Sequence, residues 1–165
     1  MIKKKICMLG SFAVGKTSLV QRYVRSIFSE KYHTTIGVKI DQKQVLWREQ
    51  PINLILWDIH GEDDFQKVQT TYLLGASAFF MVVDGTRKHT LSSAFQLHEL
   101  AIKTMGPVPF ILLLNKYDLT EEWEFDTEIM DDLKKKNWTV LTTSAKSGVG
   151  VEEAFQMLVQ AMMEP

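Results

Sequence analysis

Short apolar runs alternate along the chain with stretches whose apolar residues recur at helical spacing. Ile6 to Leu9 is a first strand, and Lys16 to about Ser26 a first helix with Leu19, Val20, Tyr23 and Val24 on one face. Val38 to Trp47 has strand character with outward polar residues Lys39, Asp41 and Lys43, as an edge strand should. A turn around Arg48, Glu49 and Gln50 leads into the dense apolar strand Ile52 to Trp57. The polar segment from Asp58 to Gln69 then passes through a short helical pattern to Leu74 and Gly75.

Ala78 to Val83 has almost no polar residue and predicts a central strand covered on both faces. Leu91 to Met105 is helical and stops at Gly106-Pro107, and Ile111 to Leu114 is another buried strand. The acidic stretch from Glu121 to Asp132 runs into Lys134, Lys135 and Lys136, a charge order that suits the dipole of an exposed helix. Thr139 to Thr143 is the last strand and Val151 to Met163 the last helix, with Val151, Ala154, Phe155, Leu158, Val159 and Met162 inward. The pattern predicts one α/β domain over residues 1–165, with six strands in a mostly parallel sheet and about five helices. Ligands of such sheets bind beyond the carboxyl ends of the strands.

Composition narrows the partners. A net charge of −1 gives no general basic field for nucleic acid. Lys3-Lys4-Lys5 reads as solvated flanking of the first strand. The single cysteine, Cys7, lies inside an apolar strand and packs there as a small hydrophobe, which fits a reducing, cytoplasmic compartment. No signal peptide or membrane span is legible, and no C-terminal cysteine offers an encoded lipid anchor.

The first strand opens onto Gly10-Ser11-Phe12-Ala13-Val14-Gly15-Lys16-Thr17, followed by Ser18. This strand–turn–helix context is what a G-x-x-x-x-G-K-[ST] match requires. The glycines let backbone N–H groups turn around a phosphate, and the helix N-terminus adds to the field. Lys16 would reach the terminal phosphates and the Thr17 hydroxyl would ligate Mg²⁺. Such loops serve ATPases, kinases and GTPases alike, so the base-reading residues decide. Asn115-Lys116-Tyr117-Asp118 and Ser144-Ala145-Lys146 each follow a buried strand. The Asp118 carboxylate can accept from both N1–H and the 2-amino group of guanine; adenine has no such donor pair.

Five stretches in order carry a resemblance over essentially the whole length: Gly10–Thr17, Thr35-Ile36-Gly37, Trp57-Asp58-x-x-Gly61, Asn115-Lys116-x-Asp118 and Ser144-Ala145-Lys146. With them the chain resembles a Ras-superfamily small GTPase of the Rab-like and Rho-like branches. The resemblance implies the P-loop small G-domain fold, GTP or GDP with Mg²⁺, and protein effectors, an exchange factor and an activating protein. It implies that Asn115 ties the base loop to the phosphate loop and that the Lys116 stem covers the base. It puts Phe28 at the base edge, although a core residue at a helix end is the other reading. It gives the Ala145 N–H the guanine O6, with Lys146 in support, and matches Tyr32 to a tyrosine that can close over the phosphates, an exposed loop tyrosine being the other reading. Thr35, preferred to its neighbour Thr34 by the following Ile36-Gly37, would be a second Mg²⁺ ligand, with Asp58 acting through water. Gly61 would give its N–H to the γ-phosphate, so that Thr35 and Gly61 form a spring held by that phosphate.

Two departures stand out. Where the family reads Asp-Thr-Ala-Gly-Gln this chain has Asp58-Ile59-His60-Gly61-Glu62, so Glu62 occupies the position of the water-orienting glutamine and His60 replaces a small residue. An ionised Glu62 accepts from water but cannot donate to the phosphoryl oxygens. At ~4 Å its repulsion is about 1 kcal/mol in bulk water and about 4 at an effective dielectric near 20. Slow hydrolysis is the expectation, with a general-base role ranked lower. His60 is expected to set the loop's conformation rather than to touch phosphate. Phe12 replaces a small residue and would crowd both an inserted arginine finger and the water-positioning side chain, unless its ring lies outward. The main reading is thus a slowly hydrolysing GTP switch, with catalytic candidates Lys16, Thr35, Gly61 and Glu62. A GTP-binding module without useful hydrolysis is the rival; an ATP-dependent kinase-like protein is opposed by Asp118 and Ser144–Lys146. His98 is expected to be a packing residue.

Overall fold

The computed structural model describes residues 1–31, 35, 37–61 and 68–164. Six strands form one sheet in the order β2-β3-β1-β4-β5-β6: β1 Ile2–Gly10, β2 Val38–Trp47, β3 Gln50–Ile59, β4 Ala78–Asp84, β5 Phe110–Asn115 and β6 Val140–Thr142. Only β2 and β3 pair antiparallel, across a tight turn in which Arg48 and Glu49 both take positive φ. That twist matches the two flanking strands. The parallel strands pair in continuous register, with Ile6 opposite Ala78 and Phe79 opposite Phe110.

Alternation along the strands feeds two cores. Ile6, Met8, Phe80 and Val82 face one side, where α1 (Lys16–Arg25) and α4 (Val151–Met163) cover them. Cys7, Leu9, Phe79, Met81 and Val83 face the other, under α2 (Thr90–Met105) and α3 (Thr127–Lys135). Because β4 is buried on both faces, it shows no alternation of polarity in sequence. Phe155 of α4 stacks on Tyr23 of α1 with ring centroids 3.6 Å apart and meets Phe80 edge-on. Burying one such ring contributes about 1.5–3 kcal/mol.

Several expectations are corrected in detail. The described residues hold four α-helices; the short helical pattern before Leu74 is a 3₁₀ turn at Thr70–Leu73. Lys3, Lys4 and Lys5 lie inside β1, where Lys5 rests its ammonium 3.6 Å from the Trp57 ring centroid and donates to the Leu74 carbonyl. A long stem lets a lysine lie across apolar surface within a strand. The acidic stretch is not one helix: α3 starts at Thr127, capped by the Asp126 carboxylate accepting from the Ile129 N–H at 2.9 Å. Before it, Trp123 folds back onto Gly85, so close that a β-carbon at Gly85 would sit 1.9 Å from the indole. Cys7 is buried as expected, and His98 packs between Phe79, Phe110 and Trp138.

Candidate functional site

The chain runs from β1 outward to β2 and β3, then crosses back to β4 on the other side of β1. The point where the order reverses therefore lies at the carboxyl end of β1, which is where open α/β sheets bind ligands. A cavity of about 180 Å³ opens there. Its lining brings Phe12, Ala13, Gly15, Lys16, Thr17 and Ser18 together with Phe28, Thr35, Gly61, Asn115, Lys116, Asp118, Ala145 and Lys146. Residues separated by more than a hundred positions thus share one wall, with the ends of β1, β3, β5 and β6 and the segment between α1 and β2 contributing to it.

The loop from Gly10 to Gly15 is tied through its carbonyls. Lys16 is buried and its ammonium donates to the carbonyls of Gly10 and Ser11, both at 3.1 Å. Asn115 donates to the Val14 carbonyl at 3.0 Å and accepts from the Thr143 hydroxyl at 3.1 Å. Lys116 donates to the Ala13 carbonyl at 3.0 Å. Ala13 itself has φ of +62°, a conformation that costs an L-residue roughly 1–2 kcal/mol. Gly15 must be glycine on two grounds: its φ is +103°, and a β-carbon would meet the Asn115 amide at 2.2 Å. The α1 N-terminus has no side-chain cap, leaving its first-turn N–H groups facing the cavity end of the helix.

Burial pushes the Lys16 ammonium down to about 8; the Asp58 carboxylate opposes this, and the Arg87 charge adds to it. At the other edge of the loop, Thr17, Thr35 and Asp58 converge. The Thr17 hydroxyl donates to Asp58 Oδ2 at 2.5 Å and lies 2.8 Å from the Thr35 hydroxyl. Burial raises the Asp58 carboxyl above its ordinary value, against the pull of Thr17, Lys16 and Lys39. Its Oδ1 is buried with no hydrogen-bond partner among the described residues. Gly61 backs directly onto the phosphate loop, where a β-carbon would meet the Phe12 Cα at 2.4 Å and the Phe12 nitrogen at 2.6 Å. Beside it, the His60 N–H donates to the Gly37 carbonyl at 2.9 Å, and Nδ1 lies 3.2 Å from the same oxygen. His60 thereby continues the β2–β3 pairing by one backbone bond at the end of β3.

On the opposite side, the Ser144 hydroxyl donates to Asp118 Oδ1 at 2.7 Å, and Arg22 of α1 donates to the carbonyls of Ala145 and Lys146. Lys146 pairs with Glu30 at 2.9 Å, and Phe28 lines the cavity while packing on the core. The Phe12 ring is 42% exposed and lines the cavity, neither buried in the loop nor turned wholly away. Glu62, Tyr32 and Thr34 lie outside the described residues.

Comparison with known proteins closes the argument. The family model for the Ras family matches residues 5–164. The chain belongs to the Ras family of small GTPases. It is similar to the Ras-related protein Rab-7L1 of Rattus norvegicus, at 36% identity over 96% of this chain and 81% of that protein. It is also similar to Rab-32 of Homo sapiens, 31% identical over 96% of this chain and 74% of the relative. Rab-32B of Dictyostelium discoideum is 33% identical over 97% of this chain and 64% of that protein. The relatives place this Ras-family chain with the Rab type, and members of that family are nucleotide-binding switches that hydrolyse GTP. No helix among the described residues is long and apolar enough to cross a membrane.

Sequence reasoning missed Asp84, Arg87, Arg22 and Thr143. Each reaches the site from a strand end or helix outside the motifs, so no local pattern flags it. Asp84 closes the buried run of β4, and that was the one available signal: a lone carboxylate at the carboxyl end of a fully buried strand.

Proposed function

We propose that this Ras-family chain is a guanine-nucleotide switch that binds GTP and GDP with Mg²⁺, hydrolyses GTP slowly, and acts in the cytoplasm. The observation that carries the reading is the single cavity joining Lys16 and Thr17 at one end to Asp118 and Ala145 at the other. The N–H groups from Ala13 to Ser18 and the Lys16 ammonium hold the phosphates. The base lies between Phe28 and the stem of Lys116; Asp118 accepts from its N1–H and 2-amino groups, and the Ala145 N–H donates to O6. Asp118 enters this contact already oriented by Ser144.

Thr17, Thr35 and Asp58 supply hard oxygen donors, and the partnerless Asp58 Oδ1 fits a divalent cation. Mg²⁺ held there supplies charge neutralisation to the phosphates. Thr35 and the Gly61 N–H close on the γ-phosphate and give effectors an ordered surface, which is lost when that phosphate leaves and both segments are released. Water attacks the γ-phosphorus, the bond to the β–γ bridging oxygen breaks, and GDP and phosphate leave.

Two residues slow this step. Glu62 brings a negative charge to an anionic centre and cannot donate to the phosphoryl oxygens. Phe12 fills space at the cavity edge that an inserted arginine from an activating protein would need. Single-turnover GTP hydrolysis compares the wild type with Glu62→Gln. Relief of ~1–4 kcal/mol of repulsion predicts at least about a fivefold faster rate. An unchanged rate would remove Glu62 from the account.

A further inference from the structure

The carboxylate that closes β4 holds two cations in different directions. Asp84 is 1% exposed, and its Oδ1 accepts from the N–H and hydroxyl of Thr86 at 2.8 and 2.7 Å. Its Oδ2 lies 2.9 Å from both Arg87 Nε and Lys116 Nζ. Burial alone would raise this carboxyl; the bonds from Thr86, Lys116 and Arg87 outweigh it and hold the group below its ordinary value.

Each cation passes a second bond to the phosphate loop. Lys116 donates to the Ala13 carbonyl, and Arg87 Nη2 donates to the Phe12 carbonyl at 3.0 Å. With Lys16 on Gly10 and Ser11, and Asn115 on Val14, every carbonyl from residue 10 to residue 14 is held by a side chain. In a trans peptide the C=O and the following N–H point opposite ways. Holding the Phe12 carbonyl against Arg87 therefore turns the Ala13 N–H away from Arg87, and the left-handed Ala13 keeps it so. Phe12 also abuts Gly61, which puts this peptide at the end of the cavity assigned to the distal phosphates.

We propose that Arg87 is a positioning residue for nucleotide binding: held by Asp84, it fixes the Phe12–Ala13 peptide so that the Ala13 N–H meets the distal phosphates. The inference rests on the guanine-nucleotide reading above. The residue type matters, because one nitrogen of the guanidinium grips Asp84 while another reaches Phe12. From position 87 the two acceptors are met by different nitrogens of one planar fork, a geometry that a single ammonium on that stem does not reproduce. Arg87 acts through the backbone rather than by touching substrate. A large side chain at position 12 makes such an anchor useful, since Phe12 is 42% exposed and would otherwise drag the loop as its ring moves.

The test measures GMP, GDP and a non-hydrolysable GTP analogue on wild type, Arg87→Ala and Arg87→Lys, with the melting temperature of each. GMP keeps the base and first phosphate but lacks the distal ones. Both substitutions are expected to weaken GDP and the analogue by about tenfold or more while GMP stays within about twofold. A parallel loss of GMP affinity, full recovery in Arg87→Lys, or no change in any nucleotide would each overturn the proposal. If Arg87→Ala does not fold, Arg87→Gln carries the same comparison with the stem retained. Failure of the wild type to prefer GDP over ADP would sink the guanine reading instead, which keeps the two failures apart.

Discussion

Gly61→Ala adds one methyl group where the chain has no room for it. The added carbon would lie 2.4 Å from the Phe12 Cα, 2.6 Å from the Phe12 nitrogen and 2.9 Å from the Ser11 carbonyl carbon. Ordinary carbon contacts sit near 3.5–4.0 Å, so the overlap is about an ångström against backbone atoms that have no rotamer to escape into. Nor can the phosphate loop yield, because Lys16 and Arg87 hold the carbonyls of Gly10, Ser11 and Phe12. The Gly61 segment must therefore retreat, at a cost of about 1–3 kcal/mol by analogy with overpacked cores. Under the proposed switch, in which GTP draws Gly61 to the loop and GDP does not, that cost falls on the GTP state alone. Affinity for a non-hydrolysable GTP analogue should fall by about fivefold to a hundredfold while GDP affinity stays within about twofold. Equilibrium titration of both nucleotides gives the comparison, and single-turnover hydrolysis should slow alongside. Equal losses for GDP and the analogue, or none for either, would refute the reasoning.

Two further outcomes follow from the base end and from Lys16. Wild type should prefer GDP over IDP, whose base lacks the 2-amino group, by about tenfold, and Asp118→Asn should abolish that preference; a preference that survives would exclude Asp118 as the reader. The Lys16 ammonium sits near 8 in the ligand-free protein, and bound phosphate favours its charged form. Binding then takes up a fraction of a proton that grows through pH 8, so GDP affinity should fall about twofold between pH 7 and 8 and more steeply toward pH 9, by at most about tenfold per pH unit. Titration calorimetry in two buffers reads the proton directly, and zero uptake at pH 9 would contradict the shift.

Much of this molecule was legible because its burial is extreme. The runs Ala78–Val83 and Ile111–Leu114 are apolar throughout since helices cover both faces of β4 and β5. The ends were less clear. Three successive lysines read as solvent, yet Lys5 spends its stem on Trp57 inside β1. The acidic run looked like one helix; Trp123 and Phe125 instead draw the chain inward ahead of Thr127. In the site, residues whose chemistry is local to a motif (Lys16, Asn115, Asp118) could be placed from spacing. Arg87 and Arg22 could not, because what they touch is carbonyl oxygen of the motifs themselves, and Asp84 acts only through the cations of Arg87 and Lys116. Carbonyls carry no sequence information, so a side chain that grips one leaves no trace in the pattern.

The Gly85–Trp123 contact limits how this chain can drift. Any residue larger than glycine at position 85 must displace an indole that also meets Tyr117, the neighbour of Asp118, edge-on at 5.1 Å. Position 85 can therefore acquire a side chain only together with a smaller residue at position 123. That double step would also remove the ring behind the base-reading loop. The two sites are bound into one inheritable unit, although 38 positions separate them in the chain.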